Sequence, residues 1–380
     1  MAAYDVIVVG LGAMGSAAAY HAARRGRRVL GLDAYERGHT LGSSHGRTRM
    51  IREAYYEAPE YVPLVQRSYA LWRELEAEAG RPLLSITGGL YLGRPESELI
   101  AGVLASVRRR GLAHDYLTAA EVADRFPGFR FPDEMVGVYE ANAGILEPEA
   151  CVGAHLDLAA GQGAELRHRE PVRRWAADGG GVRVETERGS YSAERLVIAA
   201  GPWADEVLAE LRLPLEVWRL VNVHLEPTRP ALFEPERCPV YLWTGPEGLY
   251  GGFPSLPGQG VKFGRHDVGE VCTPRTIRRE IDDHEIEELR VVLERYLPGA
   301  GGAVKWAFTC MYTMTPDHHF IVDRHPQHGQ MVYACGFSGH GFKFASVIGE
   351  VLADLALDGR TSQPIGFLSA GRFAAPAAGR

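Results

Sequence analysis

Residues 306–324 read WAFTCMYTMTPDHHFIVDR. A thiol, Cys310, stands among apolar and aromatic neighbours, with a phenol, Tyr312, two positions on and the adjacent imidazoles of His318 and His319 beyond. Such a set supports four fates for the cysteine: burial as a small hydrophobe, thiol redox, metal ligation, or attachment of a group that the chain must hold. Period-two geometry puts Cys310 and Tyr312 on one strand face. Adjacent histidines on a strand point to opposite faces and cannot share one ion, and no second pair lies near, so no metal is expected. The five cysteines (151, 238, 272, 310, 335) form no CxxC pair and are odd in number. That is neither a disulfide framework nor a zinc site, and it suits a reducing cytosol. Among 41 basic residues only Lys262, Lys305 and Lys343 are lysine. Codon bias accounts for the average, but a lysine retained in such a background points to a place needing a compact, titratable ammonium and not a guanidinium fork.

These groups need elements to position them. Tyr4–Val9 (YDVIVV) suits a strand buried on both faces, and it runs into Gly10-Leu-Gly12-Ala-Met-Gly15 and a helical SAAAYHAARRG ending near Gly26. A second strand, residues 28–33 (RVLGLD), ends on Asp33. Strand, glycine turn, helix, strand and acid together form a dinucleotide-binding unit. Gly10 permits the tight turn, Gly12 the approach of a pyrophosphate, and Gly15 the packing of helix on strand. The helix N-terminus faces the phosphates and Asp33 accepts from ribose hydroxyls. With no basic residue following Asp33, a 2′-phosphate is disfavoured. Two later segments favour FAD over NAD. Residues 196–200 (LVIAA) lead into Gly201-Pro202-Trp203, and residues 331–334 (MVYA) lead into CGFSGHGFKF and a helical pattern over 342–357. A helix N-terminus there can face the edge of a flavin where negative charge gathers on reduction, a need that nicotinamide lacks.

The length of 380 residues favours two domains, and 46% hydrophobic with 23% charged residues is ordinary for a globular chain. A net charge of −7 argues against nucleic-acid or acidic-membrane partners. The stretch DVIVVGLGAMGSAAA is too short and glycine-broken for a membrane span and makes a poor signal peptide, so a cytoplasmic protein is expected. Short strand signals surround a helical stretch at 96–110, and 217–312 alternates strands with one charged helix over 275–296. The expected fold is α/β: a discontinuous Rossmann-type FAD domain (1–80, 142–216 and 318–380) and a sheet-rich substrate domain (81–141 and 217–317). GFSGH resembles a hydrolase nucleophile elbow, but His340 replaces its last glycine and the nucleotide unit has no place in that mechanism.

Four blocks, GSSHGRTRMIREAYYE (42–57), GFPS with VKFGRH (252–255 and 261–266), TCMYTMTPDHHFIVD (309–323) and GFSGHGFKF (336–344), resemble the monomeric sarcosine oxidase family. That family includes N-methyltryptophan, pipecolate and fructosyl-amino-acid oxidases, and its fold is that of D-amino-acid oxidase. The blocks keep the family order through nearly the whole chain. The resemblance implies a thioether from Cys310 to the ring methyl of FAD, and a carboxylate clamp from Arg52 and Lys343. It places Arg49 and His45 close to the flavin ring, His266 beside the substrate amine, and Tyr312 in the pocket wall. Lys262 corresponds to the lysine that promotes reaction with O2. Ser43, Ser44, Val172, Gly201, Gly339, His340, Gly341 and Lys343 complete the implied cofactor contacts. A monomer is implied, with an N-alkyl amino acid and O2 as small-molecule partners.

Two positions depart from the family pattern. Arg47 replaces a familiar acid, and Gly251 stands where sarcosine oxidases tend to have a tyrosine, which implies a larger pocket and bulkier substrates. Pipecolate, proline or fructosyl amino acids are alternative substrates on the same fold. An NAD-linked dehydrogenase, a dehydrogenase serving a carrier protein, and a redox sensor without turnover are the rival readings.

Overall fold

The structure, a computed structural model, describes residues 3–373. Residues 6–9 are buried on both faces: Val6 and Val8 pack into the helix-covered side, Ile7 and Val9 into the opposite one. That continuous apolar run is what a central parallel strand requires. Around Tyr4–Val9 the parallel sheet runs in the order Glu165–Arg167, Val29–Leu32, Tyr4–Val9, Ser190–Ile198, Met331–Cys335, with Ile321–Arg324 antiparallel at the edge. The hairpin Val172–Asp178 and Gly181–Thr186 extends the first half of Ser190–Ile198. Helices Ala13–Ala23, Tyr61–Ala79, Pro148–Gly161 and Ala345–Leu357 cover one side. Small residues permit the tightest contact among them: a Cβ on Gly349 would lie 2.3 Å from Ala17 Cβ.

The second sheet is mixed and built mainly from residues 89–140 and 216–314. Its two faces follow the period-two rule. On one, Tyr241, Trp243, Tyr250 and Phe263 pack with Phe129, Phe233 and Tyr296 into an aromatic core. The alternate residues, among them Lys262, His266, Phe308, Cys310 and Tyr312, face a cavity shared with the parallel sheet. A third sheet of Arg49–Ile51, Gly144–Leu146 and Leu84–Ile86 carries the arginine segment to that cavity.

Two sequence expectations are corrected. His318 and His319 lie in a turn and not on a strand, with φ +60° at His318. The charged helix spans Asp283–Tyr296 instead of beginning at 275. Asp282 and Glu285 form a capping box that starts it, while Arg219 donates to the carbonyls of Arg278 (2.5 Å) and Glu280 (2.8 Å), holding the preceding residues out of the helix. Among the described residues no helix is long and apolar enough to cross a membrane.

Burial keeps His21, His45, His224, His266 and His340 neutral, lowering their pKa values to about 3 or 4. Each contributes stability that is present above the ordinary value of about 6.5 and lost as pH falls toward the folded value, at about 1.4 kcal/mol per pH unit per ring. The melting temperature, followed by circular dichroism, is expected to drop steeply between pH 6 and 4.

Candidate active site

One cavity of about 620 Å³ runs from Gly10 and Asp33 to Cys310, Tyr312 and Lys343. Its dinucleotide end is shaped by backbone that tolerates no side chain. Gly10 has φ +87°, and a Cβ there would stand 2.4 Å from the carbonyl oxygen of Ala199. A Cβ on Gly15 would overlap the carbonyl of Gly10 at 1.7 Å, so Gly15 sets the helix on the turn without itself lining the cavity. The Asp33 carboxylate accepts from the amides of Leu11 (2.7 Å) and Tyr35 (2.9 Å), pinning the turn. Ser44 Oγ accepts from Ala13 N at 3.1 Å, and Ser43 Oγ donates to the Met311 carbonyl at 2.7 Å, tying this end to the Cys310 strand. Val172 and Gly201 also line the cavity. These residues fit a dinucleotide: a glycine cradle at a helix start and an acid at the end of the second strand.

The opposite end is lined by the second sheet and by residues 336–343. Val304–Met314 presents Cys310 and Tyr312 to the cavity. Gly339 lets the loop pass close against this strand, since a Cβ there would lie 2.3 Å from the Tyr312 ring. The Tyr312 hydroxyl meets His266 Nδ1 at 2.7 Å, and burial, then Lys262, lowers the His266 pKa to about 4. The neutral imidazole, paired through Nδ1, leaves Nε2 to face Gly251. A Cβ at Gly251 would stand 2.7 Å from both His266 Nε2 and Leu242 Cδ2. The glycine therefore does not open the pocket by a whole ring: His266 leans into the space.

Lys262 is buried, with Nζ donating to the carbonyls of Gly46 and Thr48, both at 3.0 Å, and lying 5.0 Å from the Phe253 ring centroid and 5.2 Å from that of Phe308. Burial, then Arg49, pushes its pKa well below the ordinary lysine value. Arg49 lines the cavity, and its guanidinium holds the loop by donating to the carbonyls of Thr48 (2.8 Å), Ser43 (2.9 Å) and His45. His45 does not line the cavity. Its ring packs edge-on to Phe308, with centroids 5.4 Å apart, and its carbonyl accepts from Arg49.

Arg52 is 2% exposed and donates through Nη2 to both oxygens of Glu57 at 2.7 Å, with Cζ 4.1 Å from the Tyr55 ring centroid. Burial opposes the guanidinium charge, and Glu57 with the neighbouring tyrosines more than offsets it. Lys343 Nζ donates to the His340 carbonyl at 2.7 Å, and burial, then Arg52, pushes its pKa well down. His340 Nε2 donates to the His318 carbonyl at 3.0 Å, which leaves Nδ1 to accept from Tyr55 Oη. Ser338 Oγ accepts from Thr315 N at 3.2 Å and fastens the loop, a structural use that agrees with setting the hydrolase elbow aside. Lys305 pairs with Glu226 at the surface.

Two cavity residues escaped the sequence reading. Glu57 belongs to the 42–57 block, five residues after Arg52, and an acid so near a clamp arginine was the available signal. Asn222 is one of only two asparagines in the chain, a depletion that parallels that of lysine.

The model of FAD dependent oxidoreductases (DAO) matches residues 5–355. The chain is 46% identical over 377 residues to the monomeric sarcosine oxidase of Streptomyces avermitilis, covering 98% of each chain. It is 37% identical to the N-methyl-L-tryptophan oxidase of Salmonella arizonae, covering 93% of this chain and 95% of that one. The open form of NikD, an unusual amino acid oxidase essential for nikkomycin biosynthesis, has a TM-score of 0.84 at 27% identity and covers 96% of this chain and 97% of its own. With this fold and this cavity, the chain belongs to the FAD-dependent oxidoreductases of the DAO family. Within that family it is an FAD-dependent amine oxidase of the sarcosine oxidase type.

Proposed function

We propose that this oxidase cleaves the C–N bond of a secondary-amine amino acid, sarcosine or a bulkier N-alkyl amino acid, consuming O2 and releasing an aldehyde, the dealkylated amino acid and H2O2. The observation that carries the reading is the gathering, in one cavity, of the buried Arg52 guanidinium, a neutral histidine and two buried amines, Lys343 and Lys262. Arg52 and Lys343 would hold the substrate carboxylate, for which a guanidinium fork and an ammonium are suited. His266, neutral and braced by Tyr312, would accept a hydrogen bond or a proton from the substrate amine. When bound, FAD supplies the two-electron oxidation of the C–N bond and the passage of those electrons to O2. Water then hydrolyses the resulting imine to the aldehyde and the amine. Lys262 would stabilise the negative charge that O2 acquires, and that charge draws a proton back to an amine whose pKa burial has lowered.

In the same reading Cys310 carries the flavin through a thioether. It lines the cavity, whereas Cys151, Cys238 and Cys335 lie outside it, each kept a thiol by burial. Residues 1–80, 142–216 and 318–380, of which 1–2 and 374–380 lie outside the described residues, would hold the cofactor and residues 81–141 and 217–317 cover its reactive side, in a cytoplasmic monomer.

Acid precipitation of the purified protein tests the attachment. Yellow colour is expected in the wild-type pellet, and with Cys310→Ser it is expected to stay in the supernatant or be absent. A colourless pellet from active wild type would remove the covalent bond from the reading. Peroxide release, measured with sarcosine, larger N-methyl amino acids, pipecolate, proline and fructosyl amino acids, tests the reaction. No peroxide from any secondary-amine amino acid would overturn it.

A further inference from the structure

We infer that Asn222 is a specificity-determining contact, an amide that reads a hydrogen-bonding group on the substrate's side chain or N-substituent. This rests on the amine-oxidase reading above. Asn222 lies on Glu216–Leu225, in register with Gly264 on one side and Phe308 on the other. Lys262, Gly264 and His266 share a strand face by period two, and cross-strand pairing puts Asn222 on that face. A Cβ on Gly264 would stand 2.9 Å from Asn222 Oδ1, so the amide leans over bare backbone between the lysine and the histidine.

The other polar groups of this wall are engaged: Lys262 by two carbonyls at 3.0 Å and His266 by Tyr312 at 2.7 Å. The Asn222 amide, half-buried and lining the cavity, has no hydrogen-bond partner among the described residues. Its directly paired neighbours offer no polar side chain: Gly264 on one side, with Gly251 beyond it, and Phe308 on the other. A substrate that buries such an amide without satisfying it loses affinity, whereas one bearing a hydroxyl, amide or ring N–H gains a contact. The chemical class that fits is an N-alkyl amino acid with a polar, uncharged substituent.

The test compares the flavin-loaded wild type with Asn222→Leu, a close match in shape, and with Gly264→Ala, which pushes the amide off the strand. Peroxide release is followed with sarcosine, N-methyl-L-leucine, N-methyl-L-serine and N-methyl-L-glutamine. Both variants are expected to lose tenfold or more in kcat/KM for at least one polar substrate while sarcosine and N-methyl-L-leucine change less than twofold. Equal loss on all four, or no loss on any, overturns the inference, and equal loss with a shifted flavin absorbance assigns Asn222 to the cofactor instead. If the wild type releases no peroxide from any of the four, it is the amine-oxidase reading that fails.

Discussion

Arg52→Met is expected to lower kcat/KM for the N-alkyl amino acid substrate by about a hundredfold or more and to destabilise the folded protein by about 3–5 kcal/mol. Both effects come from one burial. Arg52 is enclosed, and its charge is balanced by Glu57, which is itself buried and held below the usual carboxylate range. For Glu57, burial alone would raise the pKa, and the charge of Arg52 reverses it. Removing the guanidinium leaves a buried carboxylate whose neighbours cannot fully neutralise it. The catalytic loss has a separate origin, since the substrate carboxylate loses its fork and keeps only Lys343, which the carboxylate itself favours in its protonated form. The double variant Arg52→Met/Glu57→Gln separates the two effects. It is expected to recover most of the stability, measured by denaturant unfolding, and none of the activity. Recovery of activity in the double variant would show that Arg52 serves only to balance Glu57.

Lys262→Met is expected to slow reoxidation of the reduced enzyme by O2 by about 10²–10³-fold, the usual loss when one preorganised donor is removed from a site of developing charge. Reduction by substrate under anaerobic conditions should change by less than about fivefold, because the proposed substrate contacts of Arg52, Lys343 and His266 do not run through Lys262. Stopped-flow spectroscopy of the two half-reactions checks this. A larger effect on reduction than on reoxidation would move Lys262 to the substrate side. Stability should fall by about 1–3 kcal/mol, because the carbonyls of Gly46 and Thr48 lose their shared donor.

Much of this architecture could be read from local pattern. The apolar run of Tyr4–Val9, the glycines at 10, 12 and 15 and the acid at 33 act within thirty residues, where backbone geometry leaves few alternatives. The glycine clashes show why: at Gly10 and Gly15 a single Cβ would meet backbone, so no other residue serves. Of the three lysines that their scarcity singled out, Lys262 and Lys343 line the cavity, and Lys305 pairs with Glu226 at the surface. His318 and His319 misled because their placement depends on a turn that the alternation of neighbouring residues does not announce. Their contributions are structural: the His318 carbonyl meets His340, the His319 carbonyl accepts from Thr315 and Arg372, and the His319 ring meets Tyr61 Oη.

Composition, periodicity and the spacing of glycine and acid within single segments determined the fold class, the dinucleotide unit and the period-two pairing of Cys310 with Tyr312. Those are short-range properties, set by sterics and by which face of a strand a residue occupies. Only the tertiary structure decided that Glu57 balances Arg52, that His266 fills the space beside Gly251, that His45 packs on Phe308, and that Asn222 stands without a partner among the described residues. Each depends on segments brought together from distant parts of the chain, where the deciding quantity is a distance across space that no local pattern records.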